Sequence, residues 1–288
     1  MSSLYLALES GYFEQAGLKV SIDTVLASAQ ALPLLAAGQL DASFTPLTPS
    51  FMNAVAKGAR VKLVAGREFV SPTCGDFGCV YGTRERFPDG IPNFQALRGK
   101  RIAVQRAGGM GEMALEMELE SAGLEVRDVR VAYMLPLEGL AALASGGVDG
   151  VVSQSDVEKM PRAAANLVKS PGLASILPGF QYSYVFFGRG LLDAEPARGA
   201  NLLRAYFRAT KEFLAGKTPR FMKEYAQSNG MDFEQVRTAC RDTFAPDGRI
   251  DRNSIERHVR WAAARGYCTT APSYEQLVDT RFLELANA

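Results

Sequence analysis

The segments LLAAGQLDASF (Leu34–Phe44) and ALASGGVDGVV (Ala142–Val152) follow one plan: a helix end, glycine at the stop, then aspartate at the head of a buried strand. A chain that twice leaves a helix through glycine into an apolar strand winds as β-α-β, and such winding predicts parallel strands. Two similar half-molecules follow. Each presents loops at the carboxyl ends of its strands, which is where open α/β sheets bind ligands.

The hydrophobic periodicity fills in both halves. The first predicts an apolar helical face over Leu4–Phe13, a β-rich run over Leu18–Val25, a helix over Ala27–Ala37, a strand at Ala42–Phe44, a helix over Pro49–Lys57 and a strand at Val61–Val64. The second predicts strand Arg101–Val104, a glycine-rich turn, helix Gly111–Ala122, strand Val129–Ala132, helix Leu137–Ala144 and strand Val148–Val152. Thr83–Asn93, with two prolines and several charges, reads as the connector. The aromatic strand Tyr182–Phe187 returns the chain to the first half, and from Glu195 the pattern is helical, with Phe233–Thr243 and Ser254–Arg265 among its helices. The expected architecture is α/β and two-lobed, with a ligand cleft between the lobes and a helical C-terminal region. Lobe I is discontinuous, 1–82 plus 186–288, and lobe II spans 83–185.

Composition removes several function classes. Thirty-two Lys+Arg against 31 Asp+Glu leave a net charge of +1, so no global field draws the chain to nucleic acid. No apolar run approaches the roughly 20 residues of a membrane span. A single histidine, His258, and four cysteines without zinc spacing argue against metal chemistry, and no motif calls for a cofactor. The close pair Cys74 and Cys79 suits a loop disulfide in an oxidising compartment; four unpaired buried thiols are the alternative. Glu116, Glu118 and Glu120 read as the solvated side of an amphipathic helix, and His258 with Trp261 as one face of a packed or surface helix.

The strongest candidate site is the strand-to-helix turn Arg106, Ala107, Gly108, Gly109, Met110. Its glycines let backbone approach a ligand, and N–H groups at the helix start favour an anion or polarised carbonyl. Arg106 suits a carboxylate or sulfonate. A tight turn with a solvated arginine is the plain alternative, and neither the dinucleotide nor the P-loop fingerprint is present. After the strand Ala42–Phe44, Ser43, Thr45 and Pro46 read as wall residues, with Thr48 as a helix N-cap. Ser153 and Gln154 hold the matching place in the second half. Phe69 and Tyr133 suit stacking on a flat ligand or simple packing. Tyr182 and Tyr184 divide between cleft and core.

The ordered series LYLALESGYFEQAGLKVSI, AAGQLDASF, VAKGARVKLVAG, LRGKRIAV, LASGGVDGVV and DGRIDRNSIERHVRWAAARGY resembles the substrate-binding proteins of nitrate, sulfonate/taurine and thiamine-precursor ABC importers. The resemblance spans nearly all of the chain. It implies a type II periplasmic-binding-protein fold, a monomer that closes on a small molecule, partner membrane subunits of an importer, and a periplasmic location. The family usually begins with a signal peptide and a strand ahead of the LYLALE helix, and the expectation is that both are missing here; without a signal, a cytoplasmic protein is the other reading. An enzyme on the same fold, such as a thiamine-pyrimidine synthase relative or a lyase or decarboxylase, is the competing function. SPTCGDFGCVYG with a distant His258 does not reproduce the synthases' cysteine-rich iron motif. A ligand-sensing domain ranks last.

Overall fold

The two glycines of the repeated plan, Gly38 and Gly146, both have φ of 75°, the left-handed conformation that ends a helix without a Cβ penalty. The computed structural model describes residues 2–24, 28–74, 77–153 and 166–288. Along the chain run α1 (Ser2–Glu9), α2 (Tyr12–Gln15), α3 (Ser28–Ala37), β1 (Ala42–Pro46), α4 (Pro49–Ala56), β2 (Lys62–Phe69), β3 (Val80–Thr83), β4 (Arg101–Val104), α5 (Met110–Ser121), β5 (Arg130–Tyr133), α6 (Pro136–Ala144), β6 (Gly150–Val152) and β7 (Leu167–Lys169). They continue as β8 (Gln181–Phe187), α7 (Arg189–Leu192), α8 (Pro196–Leu214), α9 (Arg220–Ser228), α10 (Phe233–Arg237), α11 (Arg252–Ala264), α12 (Tyr274–Leu277) and α13 (Arg281–Asn287). The chain forms two compact units, one of residues 1–69, 180–226 and 241–288, the other of residues 70–179 and 227–240.

In the first unit the sheet order is β1-β8-β2, and β8 runs antiparallel to both neighbours. The parallel pairing expected of β1 and β2 is therefore replaced: they share a direction but β8 separates them. The sequence of β8 explains its central place, because Tyr184, Val185, Phe186 and Phe187 are all buried and need cover on both faces. On one face Phe186 stacks on Phe51, within a core that takes in Leu35, Met52, Ile255 and Leu277. On the other, Phe187 meets Phe282 edge-on and Phe44 meets Tyr206 of α8. Residues 18–24, part of the expected strand Leu18–Val25, are not a strand: no described neighbour pairs with them, and β-propensity without a ladder partner does not make one. Val25 lies outside the described residues.

In the second unit the order is β5-β4-β6-β3-β7, with β5, β4 and β6 parallel and β3 antiparallel to β6 and β7. Because β3 pairs here, residues 80–82 belong to this unit, whereas β8 lies wholly in the first; the unit changes thus fall at 69/70 and 179/180, ahead of the expected 82/83 and 185/186. Helix α5 is buried around most of its circumference, Glu112, Glu116 and Glu118 included, so only Glu120 keeps the solvated position expected for that side.

The cysteines depart from both expectations. Cys74 pairs with Cys240 at a Cα–Cα distance of 5.5 Å, while Cys79 and Cys268 are buried and outside any disulfide. The bond ties the 227–240 excursion to the body of its unit. Helix α10 also stops at Arg237, short of the expected Thr243. Beyond the disulfide the chain is drawn out beside β2, where the Phe69 N–H donates to the Thr243 carbonyl at 2.8 Å and Glu68 bridges Phe244.

Candidate functional site

Three of the expected site segments meet at one edge of the second unit. Strands β5, β4 and β6 are adjacent and parallel, with Val104 opposite Tyr133 and Ala103 opposite Val151, so the chain leaves all three at the same side. The exits are the turn Arg106–Met110, the segment from Tyr133 and the segment from Ser153. Gln154 lies outside the described residues, as do Ser155 and Asp156.

The turn is not an open anion cradle. The Gly108 N–H donates to Glu112 Oε2 at 2.7 Å, and the other carboxylate oxygen accepts from the Tyr133 hydroxyl. Glu112 is 1% exposed. It stands at the third position of α5, from which a glutamate reaches back to the N–H groups before the helix, as in a capping box. That spacing was readable in GGMGE, and sequence reasoning passed over it. Arg106 remains half-buried, and its guanidinium forms neither a hydrogen bond nor an ion pair among the described residues. Its stem lies over Gly109, where a Cβ would come within 2.9 Å of Arg106 Cγ. Ala107 is exposed and Met110 buried. Ser153 continues the ladder through its backbone, donating to the Cys79 carbonyl and accepting from the Gly78 N–H, each at 2.9 Å.

In the first unit, Ser43 and Thr45 are buried opposite Phe186 and Tyr184. Cross-strand partners share a face, so these hydroxyl side chains stand on the core side of the sheet. Pro46 ends β1 opposite Ser183. Thr48 does precede α4, but its hydroxyl pairs with that of Ser50 at 2.8 Å and caps no backbone N–H. Tyr184 is fully buried and donates to the Gln181 carbonyl; Tyr182 and Phe69 are half-buried.

Beside these lies a group that sequence reasoning missed. Arg67, 7% exposed, donates to Ser183 Oγ at 3.0 Å and pairs with Glu68 at 3.0 Å. Burial works against its charge, but Glu68, Tyr206 and Tyr182 together hold the guanidinium above its ordinary pKa. Burial likewise pushes the Tyr182 phenol well above its ordinary value; the Glu68 carboxylate adds to this and Arg67 opposes it. The only sequence signal was a charge pair inside an otherwise apolar strand, GREF. A groove of about 400 Å³ elsewhere in this unit, lined by Leu18, Lys19, Asp41, Arg198 and neighbours, holds none of the expected residues. Among the described residues no group of three or more His, Cys, Asp or Glu gathers to hold a metal, and no helix is long and apolar enough to cross a membrane.

The family described as NMT1/THI5 like matches residues 1–215. Among curated proteins, none matches the chain. The periplasmic aliphatic sulphonate binding protein SsuA of Escherichia coli is similar in structure, with 18% identity and a TM-score of 0.75 over 96% of this chain and 88% of that one. The alkanesulfonate-binding protein SsuA of Xanthomonas axonopodis pv. citri, solved bound to MOPS, is 22% identical with a TM-score of 0.69, over 98% and 92%. The desulfurization enzyme DszB, solved as a mutant in complex with biphenyl-2-sulfinic acid, is 17% identical with a TM-score of 0.64, over 99% and 95%. At these identities the likenesses establish the periplasmic-binding-protein fold, and one such fold hosts both binders and an enzyme.

Proposed function

The chain belongs to the NMT1/THI5-like family, and from that premise we propose that it is a solute-binding protein without catalytic activity. It captures a small organic or anionic ligand by hinge closure and delivers it to the membrane subunits of an ABC importer, which places it in the periplasm. The observation that supports this most is the likeness, over 96% and 98% of the chain, to two sulfonate-binding proteins. In the second unit, Arg106 and Tyr133 stand at the carboxyl ends of neighbouring parallel strands and are the leading contacts; Gly108, Gly109 and Ser153 shape the same edge. Phe69 and Tyr182 are the leading contacts of the first unit. Differential affinity for ligand in two conformations is all that such a protein needs.

A second reading, an enzyme on this fold, is kept by the likeness to DszB. A thermal-shift screen of sulfonates, carboxylates, pyrimidines and inorganic anions, followed by mass spectrometry of the ligand, separates the two. A binder at about 100 times the dissociation constant gains roughly 2.7 kcal/mol and returns its ligand unchanged. A ligand consumed overturns the binding reading in favour of the enzyme.

A further inference from the structure

At the edge where β5, β4 and β6 end, the polar and apolar groups are distributed unevenly, and the distribution points to a ligand class. The backbone N–H of Gly108, which a small anion would seek, is already bonded by the buried Glu112 carboxylate. Among the described residues of this edge, the Arg106 guanidinium is the cation that forms neither a hydrogen bond nor an ion pair. What the edge leaves available for contact is apolar. Of the seven large apolar side chains exposed among the described residues, three stand within five positions on the segment leaving β5: Tyr133 at 50%, Leu135 at 60% and Leu137 at 75%. The Tyr133 ring is held in place by its hydroxyl on Glu112. Leucines so exposed at the start of a helix, where polar residues cost nothing, pack little against the described residues of this unit. They are surface waiting to be covered.

We propose that this edge selects organic monoanions with a large apolar body, an aryl or long-chain alkyl group bearing one sulfonate or carboxylate. The headgroup meets Arg106 and the body covers Tyr133, Leu135 and Leu137. Small inorganic anions and short polar sulfonates are poor ligands, because they leave Tyr133, Leu135 and Leu137 uncovered and the Gly108 N–H is already taken by Glu112. The proposal rests on the solute-binding reading above and deepens it. Glu112 is a positioning residue here, acting through Tyr133 and Gly108.

Calorimetric titration of the full chain tests it with matched probes: methanesulfonate, octanesulfonate and naphthalene-2-sulfonate, acetate, octanoate and 2-naphthoate, uncharged 2-naphthalenemethanol, nitrate and sulfate. The naphthyl and octyl anions are expected to bind at one site per chain, at least about 100-fold tighter than their one-carbon counterparts, as the buried apolar area of two rings implies. The sulfonate and carboxylate arms decide which headgroup the natural ligand carries. The double variant Leu135→Ser, Leu137→Ser alters exposed side chains only; it is expected to weaken the bulky anions about tenfold or more and methanesulfonate less than twofold. Arg106→Gln is expected to weaken the anions about tenfold while leaving 2-naphthalenemethanol unchanged. Nitrate, sulfate or methanesulfonate binding as tightly as the naphthyl anions overturns the proposal and leaves the solute-binding reading standing. So does a preference for bulk that survives the double variant. Silence from every probe and from the wider screen overturns the solute-binding reading itself.

Discussion

His258 lies on α11 at 1% exposure, with neither ring nitrogen bonded among the described residues and Trp261 at 5.7 Å between ring centroids. Burial alone lowers its pKa from 6.5 to about 4. The neutral ring is therefore the folded form, and the stability it contributes is complete above pH 6.5 and is lost as pH falls towards 4, because the unfolded chain takes up a proton the folded chain refuses. The full loss is about 3 kcal/mol at 1.36 kcal/mol per unit. Urea unfolding at pH 7.0, 5.5 and 4.5 should show this fall in the natural chain and a shallower one in His258→Leu; equal slopes would assign the acid sensitivity to other groups. In the sequence His258 read as part of a packed or surface helix, and the fold decides for the packed one, with Ile255, Val259 and Ala262 buried beside it on α11. Glu118 was not legible as buried. It carries the same kind of burial, raised well above the carboxylate range by desolvation, yet Glu spacing on α5 reads as a solvent face. The helix is buried because the unit packs around it, under Gly78 and Leu173, and no local pattern reports that.

Among the elements, α10 is the one whose place depends least on its own sequence. None of its five residues is buried, and apolar packing does little to hold it to the second unit. The Cys74–Cys240 bond does, closing a separation of 166 residues. A crosslink of that span restricts the unfolded chain and typically adds about 2–4 kcal/mol. Cys240→Ser should therefore lower the unfolding midpoint, and should also expose Arg237 to trypsin well before the rest of the chain is cut. A Cys79→Ser control leaves that site protected, since Cys79 takes no part in the disulfide. Rapid cleavage at Arg237 with the disulfide intact would show that the bond is not what holds the segment. Four cysteines allow several pairings, and nearness in sequence favoured the wrong one; only the fold brings residues 74 and 240 together. The helices and strands of the repeated plan were readable because period and glycine stops agree, as at Arg101–Val104. The β-rich run after Gly17 was misread because a strand exists only with a neighbour, and neighbours are a tertiary fact.

For the molecule as a whole, the two units differ in how far along the chain their sheets must reach. In the second unit the first parallel ladder joins Ile102 to Val131 and the next joins Ile102 to Gly150, short closures around a single helix or two. In the first unit both ladders wait for β8: Ala42 must find Phe187, and Lys62 the same residue, across loops several times longer. Loop closure costs entropy before pairing returns anything, so long-range sheets form later. The β1-β8-β2 order, which could not be read from β-α-β winding, thus makes a kinetic statement. Pulsed hydrogen exchange during refolding with the disulfide reduced, so that the full loops must close, should find the amides of β4, β5 and β6 protected before those of β1, β2 and β8. Simultaneous protection of both sets would mean that the units fold as one, and earlier protection of β8 would mean that its aromatic run, Tyr184 to Phe187, nucleates the first unit by collapse despite the distance.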